Sequence, residues 1–189
     1  VGFSRAELEA FHGATLPDLV GPRTRLLFVG INPGLWTAAV QAHFARRGNR
    51  FYPALRQAGI IARPIDASGG YSPEDRRYLL ARGIGITNLV PRATARADEL
   101  TAAELAAGPS ALEGLVARIE PRVVAVLGIT AFRTAFRRPK ARLGHQVEQL
   151  GAAQLWVAPN PSGLNAHSSL ADLAAAYREI AVAAGLELD

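Results

Sequence analysis

The chain of 189 residues is 49% hydrophobic and 20% charged, with 21 Lys and Arg against 16 Asp and Glu and a net charge of +5. That balance excludes wholesale disorder, and no apolar run approaches the ~20 residues that span a bilayer. The chain has no cysteine, which excludes disulfides, thiolate zinc sites, a thiol nucleophile and a cysteine-held iron–sulfur cluster.

Lys140 is the only lysine; every other basic residue is Arg, whose planar fork pairs bidentately with phosphate. A polyanionic partner is therefore expected, against an Arg-preferring composition without functional meaning. The length favours one domain over residues 1–189. The residues near Val1 lack the basic-then-apolar layout of a signal peptide. A cytoplasmic place is expected, nucleoid-associated in a bacterium, with no membrane partner.

In chain order, Arg25–Ile31 reads as a buried strand stopped by Asn32-Pro33-Gly34. Phe51–Ala58 reads as a short amphipathic helix. Ser72 is an N-cap with Pro73 at the first helical position, leading into Asp75–Arg82. Ile84–Val90 is a second strand, closed by Pro91. Thr101 and Glu104 have capping-box spacing, and Ser110–Glu120 reads as a helix ending before Pro121. Arg122–Gly128 is a third strand and Ile129–Arg137 a helix. Gln154–Ala158 is a fourth strand, stopped by Pro159. Ser169–Ala184 is the clearest helix, with Leu170, Leu173, Tyr177 and Ile180 on one face and Gly185 at its end.

The first and third strands show little apolar/polar alternation, as strands covered on both faces do. Strands alternating with helices predict an α/β fold, a three-layer α/β/α sandwich around a mainly parallel four-stranded sheet. Ligands of such sheets bind beyond the carboxyl ends of the strands. Two unusual loops stand there: Gly30-Ile31-Asn32-Pro33-Gly34-Leu35 and Asn160-Pro161-Ser162-Gly163-Leu164-Asn165. One Asn-Pro turn would mean little; two on one rim suggest a site. Neither loop has the glycine run and Lys-Ser/Thr of a phosphate loop, and no dinucleotide fingerprint follows a strand.

These two loops, with Phe44-Ala45, Gly48-Asn49-Arg50-Phe51 and the strand segment Gly85–Val90, resemble the mismatch-specific uracil/thymine-DNA glycosylases, a branch of the uracil-DNA glycosylase superfamily. The resemblance runs from about Arg25 to about Glu179. It implies a parallel four-stranded sheet between helices and hydrolysis of the N-glycosidic bond of uracil opposite guanine, with thymine and other damaged pyrimidines as further substrates. An abasic site is left for base excision repair. The implied partner is duplex DNA holding a mismatched or damaged pyrimidine, bound by a monomer without cofactor or metal.

The resemblance also implies residue roles. Asn32 stands at the catalytic asparagine; its amide cannot serve as a base at neutral pH but can orient a water. Asn160 faces the uracil oxygen and donates to its developing charge. Phe44 is the face on which the extruded base stacks. Backbone groups of Ile31 and Phe44 meet the uracil edge, Thr37 lies near carbon 5, and Asn88 lines the pocket. Leu164 is the wedge that fills the hole left by the flipped nucleotide. Gly163 and Asn165 share that guanine-reading loop, Gly163 letting backbone approach DNA.

Arg46, Arg47, Arg50, Ser162 and His167 are candidate phosphate contacts, with Arg50 alternatively holding a buried carbonyl. Asp98, on the loop after the second strand, is a candidate auxiliary catalyst; otherwise it starts the helical region that follows. Trp36 is expected to narrow or cap the pocket. His43 reads as structural or solvated, or else as a phosphate or pocket contact. Ala166 stands where some family members place an Arg. Arg137, Arg138, Lys140 and Arg142 form a second basic run, read as solvated with steering a secondary role. The alternative function is a non-catalytic, damage-sensing DNA-binding module with the same fold.

Overall fold

The computed structural model describes residues 2–189. In chain order the elements are α1 (Arg5–Glu9), β1 (Leu26–Gly30), α2 (Leu35–Val40), α3 (Phe51–Gln57), α4 (Pro73–Ala81), β2 (Ile84–Asn88), a 3-10 turn (Ala97–Glu99), α5 (Ala102–Ile119), β3 (Val123–Leu127), α6 (Ile129–Ala135), β4 (Gly144–Leu150), β5 (Ala153–Ala158) and α7 (Leu170–Ala183). The five strands form one sheet in the order β2-β1-β3-β5-β4. β1, β2, β3 and β5 are mutually parallel, and β4 runs antiparallel to β5 at the edge.

Successive side chains of a strand point to opposite faces, and here both faces are covered. Leu26, Phe28, Ile84, Ile86, Val123 and Ala125 join the core beneath α3, α4 and α7. Their neighbours Leu27, Val29, Val124 and Val126 join a second core beneath α5 and α6. This is why the strands lack alternation, and it makes the molecule a three-layer α/β/α sandwich. No described helix is long and apolar enough to cross a membrane.

The sheet has five strands where four were expected. β4, Gly-His-Gln-Val-Glu-Gln-Leu, alternates half-buried and exposed residues, buries only Leu150 and leaves Val147 98% exposed. Its sequence is polar because one face is wet, and its pairing with β5 breaks register between His145 and Gln149. α5 is a single helix running through Pro109, where a break before Ser110 was expected. A Cβ at Gly108 would stand 2.9 Å from the Leu89 carbonyl oxygen, so the glycine lets the helix lie directly on the chain leaving β2. That packing holds the helix across a proline that alone would disfavour it. The short α1 and α2 had no counterpart in the sequence reading.

The expected caps are present. Ser72 Oγ accepts from the Asp75 amide at 2.9 Å. Thr101 Oγ1 accepts from the Glu104 amide at 3.1 Å while Glu104 Oε2 accepts from the Thr101 amide at 2.8 Å. Ser169 and Asp172 make the same reciprocal pair at the start of α7. On α7, Leu173, Tyr177 and Ile180 are buried, Leu170 partly so, and Gly185 follows at φ +69°.

Candidate active site

Four parallel strands end on one rim, and the loops that leave them enclose a cleft of about 630 Å³. Asn32, after β1, and Asn160, after β5, both line it, together with Phe44, Asn88 and Leu164. The two Asn-Pro turns therefore converge, because parallel strands deliver their carboxyl ends to the same side.

Asn32 is held by its nitrogen. Nδ2 donates to the Arg92 carbonyl at 2.9 Å, to Thr94 Oγ1 at 2.8 Å and to the Pro33 carbonyl at 3.3 Å. Two of these partners are carbonyls, which only accept. The third, the Thr94 hydroxyl, donates its own proton to the Arg96 carbonyl at 2.7 Å. The amide must therefore turn its nitrogen to the protein. Oδ1, which accepts no bond from the described residues, remains for the cleft.

Asn160 is held the other way. Its Oδ1 accepts from the Ser162 amide at 2.9 Å, an Asx turn that starts the loop. Its Nδ2 donates to no described residue and remains for the cleft. One cleft thus contains a free amide oxygen and a free amide nitrogen, each polarity set by the protein behind it.

Aromatic and apolar groups complete the walls. Phe44 stacks on Phe51 with centroids 4.2 Å apart and also lines the cleft. Its backbone is left-handed at φ +54°, a conformation non-glycine residues seldom adopt. Gly30 makes room for this wall: a Cβ there would lie 2.5 Å from Asn88 Oδ1 and 3.3 Å from Phe44 Cζ. The Asn88 side chain, opposite Gly30 in the β1–β2 register, makes no hydrogen bond with the described residues. Thr37 is buried at the cleft and accepts from the Ala45 amide at 3.4 Å. Ile31 lines the cleft while its carbonyl accepts from the Val90 amide at 3.0 Å.

His43 also lines the cleft but is buried, its Nε2 3.1 Å from the Pro17 carbonyl. Burial lowers its pKa to about 4, opposed by the Pro17 hydrogen bond and the Asp18 charge. The imidazole is neutral at pH 7, so Nε2 carries the proton donated to Pro17. It is a structural group, as one of the expectations had it, and not a phosphate-binding cation.

A family model for the uracil DNA glycosylase superfamily matches residues 17–181, which takes in the whole sheet and every loop of the cleft. The chain belongs to that superfamily. Its fold is similar to a solution NMR structure from Methanosarcina acetivorans, provisionally described as a uracil DNA glycosylase, with a TM-score of 0.58 over 89% of this chain and 98% of that one. The two are 16% identical, so that likeness speaks for the fold.

On this uracil DNA glycosylase scaffold, Leu164 is 77% exposed at the cleft; it is not a core residue. The loop that presents it is held by Arg50. The guanidinium donates to three loop carbonyls, Ser162 at 3.0 Å and Asn165 at 2.8 Å through Nη2 and Ser168 through Nη1. The Arg50 amide donates to the Pro161 carbonyl at 2.9 Å. This corrects the phosphate-contact reading of Arg50: its Nη donors already face carbonyls within the protein, and its Nε is buried, without a partner among the described residues.

Gly163 packs against the protein itself. A Cβ there would stand 2.8 Å from the Gly48 carbonyl oxygen, so the close approach it permits is to the protein's own 48–50 segment. Asn165 has both ends of its amide engaged, Nδ2 with the Asn160 carbonyl at 2.9 Å and Oδ1 with the His167 amide at 3.1 Å. Its side chain scaffolds the loop instead of facing outward. Ser162 Oγ accepts from the Leu164 amide at 3.3 Å.

Trp36 does not cap the cleft. Its Nε1 donates to the Ser68 carbonyl at 2.9 Å and its ring meets Phe3 edge-on at 5.1 Å. Asp98 lies at the cleft margin with its side chain 70% exposed, bound to Arg96 Nε at 3.0 Å. It sits in the 3-10 turn before α5, so the structural reading of this residue describes its contacts.

Arg46 and His167 are exposed and line the cleft; Arg47 is exposed beside it in sequence. None of the three side chains has a carboxylate within ion-pair distance among the described residues. The sequence reading missed Thr94 and the Arg92 carbonyl, which orient Asn32. The Arg92 side chain, bound to Glu104 at 2.7 Å, pins that carbonyl's segment to the start of α5. No local pattern signals such a carbonyl; a threonine on the loop after the second strand was the one available hint.

Proposed function

We propose that the protein is a monofunctional DNA glycosylase that extrudes uracil from a G·U mismatch and hydrolyses its N-glycosidic bond, with thymine and other damaged pyrimidines as further substrates. The observation that carries this reading is the pair of amides of opposite polarity in one cleft: Asn32 with its oxygen free and Asn160 with its nitrogen free.

A glycosidic bond inside a duplex is out of reach, so the nucleotide must leave the stack. Leu164 fills the vacated space, and the extruded base stacks on Phe44, an interaction worth ~1–3 kcal/mol per base. As the C1′–N1 bond breaks, its electron pair departs with the uracil. Asn160 Nδ2 donates to the base oxygen where that charge gathers. Asn32 Oδ1 accepts from a water and holds it toward C1′. The water oxygen bonds to C1′, and the proton it sheds goes to the departing base. The products are free uracil and an abasic site.

An amide positions the water without taking its proton, so this catalysis is slower than a carboxylate base would allow. Thr37, fixed by the Ala45 amide, supplies the bulk that hinders a 5-methyl group. Lys140 does not line the cleft, so no Schiff base forms and the strand stays intact until alkali is added.

The test is base release from matched duplexes carrying G·U, A·U and G·T and from single-stranded uracil, with Asn32→Ala beside the parent. The expected result is fastest release from G·U, an alkali-labile intact strand, and loss of release in the variant. Duplex binding without released uracil, over long incubation with excess protein, would instead select the damage-sensing module. Equal release from G·U and A·U would remove the mismatch preference and leave a general uracil glycosylase.

A further inference from the structure

The turn that carries Asn32 leans on two peptide groups, and each of them is held from behind. In the Arg92–Ala93 peptide, the carbonyl accepts from Asn32 Nδ2 at 2.9 Å and the N–H donates to the Ala14 carbonyl at 2.9 Å. In the Ala93–Thr94 peptide, the N–H donates to the Pro33 carbonyl at 3.1 Å and the carbonyl accepts from the Gly13 amide at 2.9 Å. A trans peptide unit is planar, with its C=O and N–H on opposite edges. Both planes therefore stand between the Asn32-Pro33 turn on one edge and residues 13–14 on the other. Donation to Ala14 also polarises the first peptide and makes the Arg92 carbonyl a better acceptor for the Asn32 amide.

The segment behind is anchored in its own right. Ala93 is fully buried in a small core with Leu35 and Ala38 of α2, on which Leu8, Phe11 and Ala14 pack. α1 starts on a reciprocal cap: the Ser4 amide donates to Glu7 Oε2 at 2.7 Å and the Glu7 amide to Ser4 Oγ at 3.2 Å. Gly13 turns the chain at φ +77°, a left-handed bend that favours glycine and that brings residues 13 and 14 alongside Ala93. Residues 3–14 do not line the cleft. Burial of Ala93 requires some partner for its N–H and C=O. Here both partners come from one segment, so the placing of that segment sets the placing of the acceptors around Asn32.

We propose that residues 8–14 are a positioning segment for Asn32: through Ala93 they fix the Arg92 carbonyl and the Thr94 hydroxyl that turn the Asn32 oxygen into the cleft. Leu8 and Phe11 act through Ala93 and touch neither the water nor the extruded base. The hold on the Asn32 side chain needs no ligand. Its effect on base release rests on the glycosylase reading.

The experiment reads the Asn32 amide by NMR. In ¹⁵N-labelled protein, the side-chain NH₂ pair that disappears in Asn32→Ala belongs to Asn32, and the pair that disappears in Asn160→Ala belongs to Asn160. The variant L8A/F11A is expected to speed hydrogen exchange of the Asn32 pair about tenfold and to leave the Asn160 pair, whose loop rests on Arg50, as in the parent. Single-turnover release of uracil from G·U duplex should fall about tenfold, because a slightly displaced amide holds its water off the line of attack. Affinity for a duplex with 2′-fluorodeoxyuridine opposite guanine, whose glycosidic bond resists cleavage, should stay within about twofold of the parent. In the Asn32→Ala background the same two substitutions should change release by less than about twofold, since the group they position is gone. Phe11→Leu keeps an apolar anchor and should restore parental behaviour. Gly13→Ala is the second variant if L8A/F11A does not fold: a Cβ there meets nothing within 4 Å, so it strains only the left-handed bend, with about threefold changes expected in both readouts.

An Asn32 pair that exchanges as in the parent in every folded variant would overturn the positioning segment. So would equal changes at Asn32 and Asn160, or the same loss of release with and without the Asn32 amide, since either marks a segment that only stabilises the fold. The two readings fail separately. A parent that releases no uracil defeats the glycosylase reading, while the exchange of the Asn32 pair still decides the segment. A parent that releases uracil while the Asn32 pair stays unmoved in the variants defeats the segment alone.

Discussion

The two Asn-Pro turns of the rim use the same dipeptide to opposite ends. At the first, three acceptors gather around Asn32 Nδ2 and turn the amide oxygen out. At the second, the Ser162 amide engages Asn160 Oδ1 and turns the nitrogen out. The supports differ as well. The Asn32 amide rests on neutral groups drawn from residues 33 and 92–94. The Asn160 loop rests on a charged guanidinium from residue 50. An asparagine has no fixed role; the groups behind it decide whether a site receives an acceptor or a donor.

The largest expected effect tests that division directly. Asn32→Ala should reduce single-turnover release of uracil from G·U duplex by about 10²–10³-fold, the range for removing one preorganised polar group at a reacting centre. Asn160→Ala should reduce it by about tenfold, because a neutral amide stabilises the leaving base only weakly. A larger loss at Asn160 than at Asn32 would reverse the two roles.

Next in size is the charged support of the second turn. Arg50→Ala removes bonds to three carbonyls and should destabilise the fold by about 2–4 kcal/mol, read as a shift in urea midpoint. Arg50→Lys should recover only part of this, since one ammonium cannot reproduce the fork. A variant as stable as the parent would mean that the wedge loop holds its shape without the clamp.

The wall around Phe44 offers a pH test. His43 has a folded-state pKa near 4, below the ordinary value of ~6.5. The unfolded chain therefore binds the proton more readily, and stability present above ~6.5 is lost as pH falls toward 4. Acidification from pH 7 to pH 5 should reduce unfolding free energy by about 1–2 kcal/mol through this group. His43→Gln should flatten that part of the profile. An unchanged profile would place the acid sensitivity elsewhere.

The smallest effect is expected at Asp98. Its carboxylate is exposed and bound to Arg96, so Asp98→Asn should leave the single-turnover rate within about twofold and stability within about 0.5 kcal/mol. A tenfold fall in rate would restore it as a catalyst and end the account in which the two amides act alone.

What could be read from the residues was whatever is local or periodic. Runs such as Leu26–Gly30 and Val123–Leu127 announce strands covered on both faces, and Ser72, Thr101 and Ser169 announce helix starts, because caps and burial patterns act over a few neighbouring positions. The Asn-Pro turns stood out for the same reason, and their order along the chain carried the family resemblance. The remainder needed the third dimension. β4 was hidden because an edge strand with one wet face keeps a polar sequence. α5 crossed Pro109 because packing of Gly108 on Leu89 outweighed propensity. Arg50 resembled a phosphate ligand until its partners, more than a hundred residues away, proved to be carbonyls. The polarity of each amide came only with the family resemblance; the residues themselves do not carry it, since an asparagine's orientation is decided by hydrogen-bond partners that the chain brings together only on folding.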